Sequence, residues 1–80
     1  MKKGEISVRS AVRMAFVMLP DQFTALQIVN RVRQIVAPYY PLDGNILRRL
    51  REVRDAEPHI FGYTYNSRLF DGYYEKTAKN

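Results

Sequence analysis

Arginines stand at positions 48, 49, 51 and 54, shortly after a glycine at 44 and an asparagine at 45. A guanidinium is a permanently charged, planar fork that can donate two parallel hydrogen bonds to a matched pair of acceptors. A carboxamide offers a donor and an acceptor side by side. Within residues 44–54 the four arginines face one acid, Glu52, which leaves a local charge of +3. These groups recognise acceptors and anions; they do not by themselves break bonds. Catalytic chemistry has little to work with elsewhere. The chain has no cysteine and one histidine, His59, with no nucleophile at a fixed spacing from it. Neither a disulfide framework nor a thiolate zinc site can form. No glycine-rich phosphate loop, paired-carboxylate spacing or metal cluster is present. The expectation is a protein without enzymatic activity, cofactor, metal or small-molecule substrate.

The whole chain shares the basic character. Thirteen Lys and Arg against eight Asp and Glu give +5 over 80 residues, with a pI near 9.8. Such a balance favours polyanionic partners, although where the charge sits matters more than its sum. Hydrophobic residues at 46% and charged residues at 26% make a normal globular mixture rather than a disordered one. A chain this short holds one core, and buries only about 60% of the surface its unfolded form exposes. Its longest apolar run, Met14 to Pro20, is far shorter than the ~20 residues of a membrane span. Arg9 and Arg13 interrupt any signal-peptide core after Lys2 and Lys3. A cytoplasmic protein with no membrane association is expected.

The elements that must hold the arginines can be read from periodicity. Val8, Ala11, Val12, Ala15, Phe16 and Leu19 recur at helical spacing. They predict a first helix over about Val8–Leu19, capped by Ser7 and stopped by Pro20. Thr24 with Gln27 forms a capping-box pattern for a second helix. Its core stripe is Ala25, Ile28, Val29, Val32, Ile35 and Val36, it presents Gln27, Asn30, Arg31 and Gln34 outward, and it ends at Pro38. Tyr39 and Tyr40, between prolines, are expected to pin a connector against the core. Asp43 is the expected N-cap of a third helix, with Leu42 and Leu47 as a hydrophobic staple, and Pro58 bars extension beyond about Ala56. On a helical wheel Ile46, Leu50 and Val53 lie within about 60°, and Arg48 points almost directly away, flanked by Asn45 and Arg51. From Ile60 the pattern turns extended, with Tyr63, Tyr65, Tyr73 and Tyr74 around turn residues Asn66, Ser67, Arg68, Asp71 and Gly72. His59 is expected to start the first strand. These elements predict an α+β fold, a three-helix bundle with a C-terminal β-hairpin. It would occupy residues 6–76, with flexible tails at 1–5 and 77–80.

That order of elements resembles the winged helix-turn-helix DNA-binding family. The likeness is most specific in the third helix, where Asp43-Gly44-Asn45 precedes Ile46 and Arg48, Leu50 and Val53 follow at the family's usual offsets. It covers roughly residues 8–76, although the connector from Pro38 to Asp43 exceeds the shortest helix-turn-helix turns. The resemblance implies double-stranded DNA as partner and a small transcriptional regulator or site-specific factor as function. Gly44, Asn45, Arg48, Arg49 and Arg51 would then face the major groove, where arginine matches guanine and asparagine matches adenine. Arg68, at the wing tip, and Arg31, on the second helix, would contact the backbone or minor groove, with Arg13 a secondary phosphate candidate. The alternative for Arg49, Arg51 and Arg54 is a solvated face paired with Glu52, Asp55 or Glu57, and for Arg54 this role is favoured. Three alternatives stay open: a protein-interaction adaptor of the same fold without DNA binding, a homodimer on two half-sites, and single-strand binding by the hairpin tyrosines.

Overall fold

The computed structural model describes residues 6–66 and 72–77. Arg68 and the turn around it, like residues 1–5 and 78–80, lie outside these. Helix α1 spans Val8–Met18. The Ser7 hydroxyl caps it by accepting the Ser10 N–H at 3.1 Å, and Leu19 turns extended before Pro20. Helix α2 spans Ala25–Val36 with both halves of the capping box formed. Thr24 Oγ1 accepts the Gln27 N–H at 3.2 Å, and Gln27 Oε1 accepts the Thr24 N–H at 2.8 Å. Helix α3 spans Asp43–Ala56.

The cap of α3 differs from the sequence expectation. Leu42 occupies the cap position without a side-chain bond, so Asp43 is the first helical residue. Its carboxylate pairs instead with Arg33 Nη2 at 2.5 Å. Leu42 is 73% exposed, so the staple to Leu47 does not form. Tyr39 and Tyr40 are also exposed, and the residue that anchors the connector is the buried Pro41.

A second correction follows α3. Pro58 does not simply end a helix; it opens a short one, α4, over Pro58–Phe61. Its fixed φ suits a first helical position, where its missing N–H is not needed. Ile60 and His59 are therefore helical rather than strand residues, and Phe61 is turned inward. Gly62 joins α4 to the sheet at a close approach, since a Cβ there would stand 2.5 Å from the Pro58 carbonyl oxygen.

The sheet has three strands rather than two. Strands β2 (Tyr63–Asn66) and β3 (Tyr73–Lys76) form the expected antiparallel pair, with Tyr65 opposite Tyr74. A two-residue strand, β1 (Gln22–Phe23), between α1 and α2 pairs antiparallel with β3, Phe23 opposite Tyr74. The order is β1-β3-β2. The first helix is thereby tied to the last strand, and Lys76 Nζ adds a hydrogen bond to the Leu19 carbonyl at 2.6 Å. Thr77 continues the connection by donating its N–H to Gly62.

All three layers meet at one core. Ala11, Val12, Ala15 and Phe16 from α1 pack with Ile28, Val29 and Val32 from α2 and Ile46, Leu50 and Val53 from α3. Phe23, Phe61 and Tyr63 close it from the sheet side. Phe16 lies at the join, its ring centroid 5.7 Å from Phe23, 5.4 Å from Phe61 and 6.4 Å from Tyr63. The two shorter contacts are edge-to-face, the arrangement the ring quadrupoles favour.

Candidate nucleic-acid interface

Because α3 buries Ile46, Leu50 and Val53, the opposite stripe at i, i+4, i+7 and i+11 faces away from the core. That stripe is Gly44, Arg48, Arg51 and Asp55, and all four residues are exposed. From Gly44 to Arg51 it extends about 10 Å along the helix axis, a length that matches about three base-pair steps. A Cβ at Gly44 would meet nothing within 4 Å, so the start of the stripe is open.

Ion pairing separates the arginines into two sets. Arg9 and Arg49 share Glu52 at 2.9 and 2.5 Å, and Arg13 meets Glu57 at 2.7 Å. Arg33 meets Asp43, and Arg54 meets Asp55 at 3.2 Å. Among the described residues, Arg31, Arg48 and Arg51 have no carboxylate within ion-pair distance. Arg31 is half-buried on α2, whereas Arg48 and Arg51 stand together on the exposed stripe.

Asn45 and Arg49 occupy the neighbouring face, turned toward α1. Asn45 Oδ1 accepts from Arg49 Nε at 3.3 Å, and the Arg49 guanidinium continues to Glu52. The hydrogen bond from Arg9 is the largest cause that draws the Glu52 carboxyl below its ordinary 4.5; burial opposes it and Arg49 adds to it. Arg54 turns toward the sheet, with its guanidinium carbon 4.9 Å from the centre of the Tyr63 ring. Arg13, the secondary phosphate candidate, lies 5.9 Å over Phe61 as well as pairing with Glu57.

The sheet meets α3 where Arg54 lies over Tyr63, and there it carries a cluster of tyrosines. Tyr63, Tyr65 and Tyr74 share its core-facing side, with the Tyr74 centroid 5.1 Å from Tyr63 and 4.9 Å from Tyr65. Burial raises the Tyr63 and Tyr74 hydroxyls above their ordinary range, and the positive charge of Arg51 acts against that rise at both. Tyr63 is buried and Tyr74 half-buried, while Tyr65, beyond the edge of the core, is 55% exposed. Tyr65 also lies against Gly72, where any Cβ would collide with its hydroxyl.

Comparison with protein-family models, curated proteins and solved structures returned no match for this chain.

Among the described residues, no group of three or more His, Cys, Asp or Glu could hold a metal ion. No helix of the described residues is long and apolar enough to cross a membrane.

Two features of this region had no clear signal in the sequence. Arg33 stands at the border of the α2 core stripe and is partnered by Pro41 of the connector and Asp43 of α3. The pairing of Arg9 and Arg13 of α1 with the acids at 52 and 57 spans 43 and 44 residues.

Proposed function

We propose that this chain is a winged-helix domain that binds double-stranded DNA, as a small transcriptional regulator or another site-specific factor. The observation that carries the reading is the exposed stripe of Gly44, Arg48 and Arg51, whose two arginines have no carboxylate partner among the described residues. Helix α3 would enter the major groove along this stripe, with Arg48 donating to guanine O6 and N7. Arg51, one turn further along the same stripe, is suited to a phosphate of the adjoining strand. Asn45 and Arg49 can join only by exchanging their present partners. Arg31 would meet the flanking backbone, and Arg68 keeps the proposed role at the wing. The topology supports the fold reading: β1 between the first two helices pairs with the last strand, and β2 and β3 form the wing.

The direct test is a titration of isotope-labelled protein with a mixed-sequence duplex at two salt concentrations. Amide shifts should concentrate on residues 44–51 and on the hairpin, and should weaken as salt rises, because each neutralised phosphate contributes a log–log slope of about −0.9. Shifts absent, or spread evenly over every basic residue, would remove the DNA reading.

Gly44 separates binding from folding. Alanine has room at this helical position, so Gly44→Ala should raise stability by up to about 1 kcal/mol, read from the urea midpoint. The same methyl should lower DNA affinity by obstructing close approach of the helix to the groove. Unchanged affinity would show that the first turn of α3 stays clear of the DNA.

One observation favours a second reading, a protein-interaction module. Met14, Val17 and Met18 form an exposed apolar stripe on α1, and Tyr39, Tyr40 and Leu42 are exposed in the connector. In that case the duplex would leave the spectrum unchanged.

A further inference from the structure

The stripe on α3 can read bases only if its first turn is held in a defined direction. The usual holding device is absent, because Leu42 offers no capping side chain and faces solvent. The residue that takes its place comes from α2. Arg33 Nε and Nη2 both donate to the Pro41 carbonyl, at 3.0 and 2.9 Å. Nη2 also reaches Asp43 Oδ1 at 2.5 Å. The Tyr40 ring covers the guanidinium, with its centre 4.0 Å from Cζ. One side chain thus holds residues 40, 41 and 43, immediately before Gly44.

We propose that Arg33 is a positioning residue of the DNA-reading face, setting the direction in which α3 presents Gly44 and Arg48. The inference rests on the DNA-binding reading above. A planar guanidinium restrains direction as well as distance, since its donors and its stacking face are fixed relative to one another. Lysine would keep the charge but lose both the double donation and the stacked plane. The Arg33 side chain is only 16% exposed, and its Nε and Nη2 are directed to Pro41 and Asp43, so it is poorly placed to meet a phosphate. Its contribution is orientation, and a reading group must be held within about 0.5 Å of its working geometry.

The test uses the full chain and two probes. One is the duplex that the wild type enriches from a random-sequence pool; the other is a scrambled duplex of the same composition. Arg33→Lys should lower the preference for the enriched duplex about tenfold, the scale of one lost bidentate base contact. Affinity for the scrambled duplex and the salt slope should stay at wild-type values. Retained preference would overturn the proposal by leaving Arg33 a purely structural clamp. A slope reduced by about 0.9 would overturn it differently, by making Arg33 a phosphate contact.

If Arg33→Lys fails to fold, the exposed Tyr40 provides the decision. Tyr40→Ala removes the stacked ring and should lower preference, while Tyr40→Phe keeps the ring and should retain it. Equal preference in both variants, or equal loss in both, would overturn the proposal. A wild type that enriches no duplex at all would mark failure of the DNA reading itself, and the positioning role would fall with it.

Discussion

Arg48→Ala is expected to weaken binding to a specific duplex by about 1–3 kcal/mol, the value of a bidentate contact to guanine. The loss should be concentrated at one base position, so that the variant discriminates less there while its non-specific affinity changes little. Arg51→Ala is expected to behave otherwise, lowering affinity for all duplexes and reducing the log–log salt slope by about 0.9. Both residues are exposed and without an ion-pair partner among the described residues. Alanine is also the better helix former, so neither substitution should weaken the fold. The informative control is Arg49→Ala, which removes a guanidinium already committed to Glu52 and Asn45. It should leave affinity within a few fold of wild type. Competition titrations at several salt concentrations, with duplexes altered one base pair at a time, measure all three. Equal losses from Arg48→Ala and Arg49→Ala would mean that net charge, not the exposed stripe, does the binding.

The contrast between Arg48 and Arg49 also marks how far the sequence could be read. The α1 and α2 caps were legible because Ser7 reaches Ser10 and Thr24 reaches Gln27, each within one turn. The stripe of Ile46, Leu50 and Val53 was legible for the same reason, since periodicity is local. What failed was whatever depended on distant partners. Asp43 looks like a cap until Arg33, ten residues earlier, claims its carboxylate. Arg49 reaches Asn45 and Glu52 within one turn, a pairing the sequence offers, but the Arg9 bond to Glu52 spans 43 residues and leaves no local trace. Strand β1 is two residues long, too short for any period, and exists because β3 returns beside it. Ile60 and Phe61 have the β-branched and aromatic character of a strand. They form a helical turn because Pro58 starts one and the core takes Phe61.

Phe16→Ala is expected to cost about 3–5 kcal/mol, the usual range for emptying a buried phenylalanine site. That is a large part of the whole stability of a small domain, which lies on the order of 5–15 kcal/mol. The site has little capacity to collapse around the loss. Phe16 is 3% exposed and touches a different element on each side: Phe23 of β1, Phe61 of α4 and Tyr63 of β2. Lys76 of β3 adds a fourth, its ammonium 4.7 Å from the ring centre. Filling the void would require several elements to move at once, and their separate anchors oppose this: the Lys76 bond to Leu19, the β1–β3 pairing and the close approach at Gly62. Urea unfolding followed by circular dichroism should show the midpoint falling toward zero. Phe16→Leu, which keeps most of the volume, should recover the greater part of the loss. A small effect of Phe16→Ala would mean that the sheet is held to the helices without this ring. The consequence reaches the proposed interface, because among the described residues the ring contacts of the hairpin include no other side chain of α1. Loosening Phe16 would leave the strands free to shift against α3, beginning at the contact of Arg54 with Tyr63.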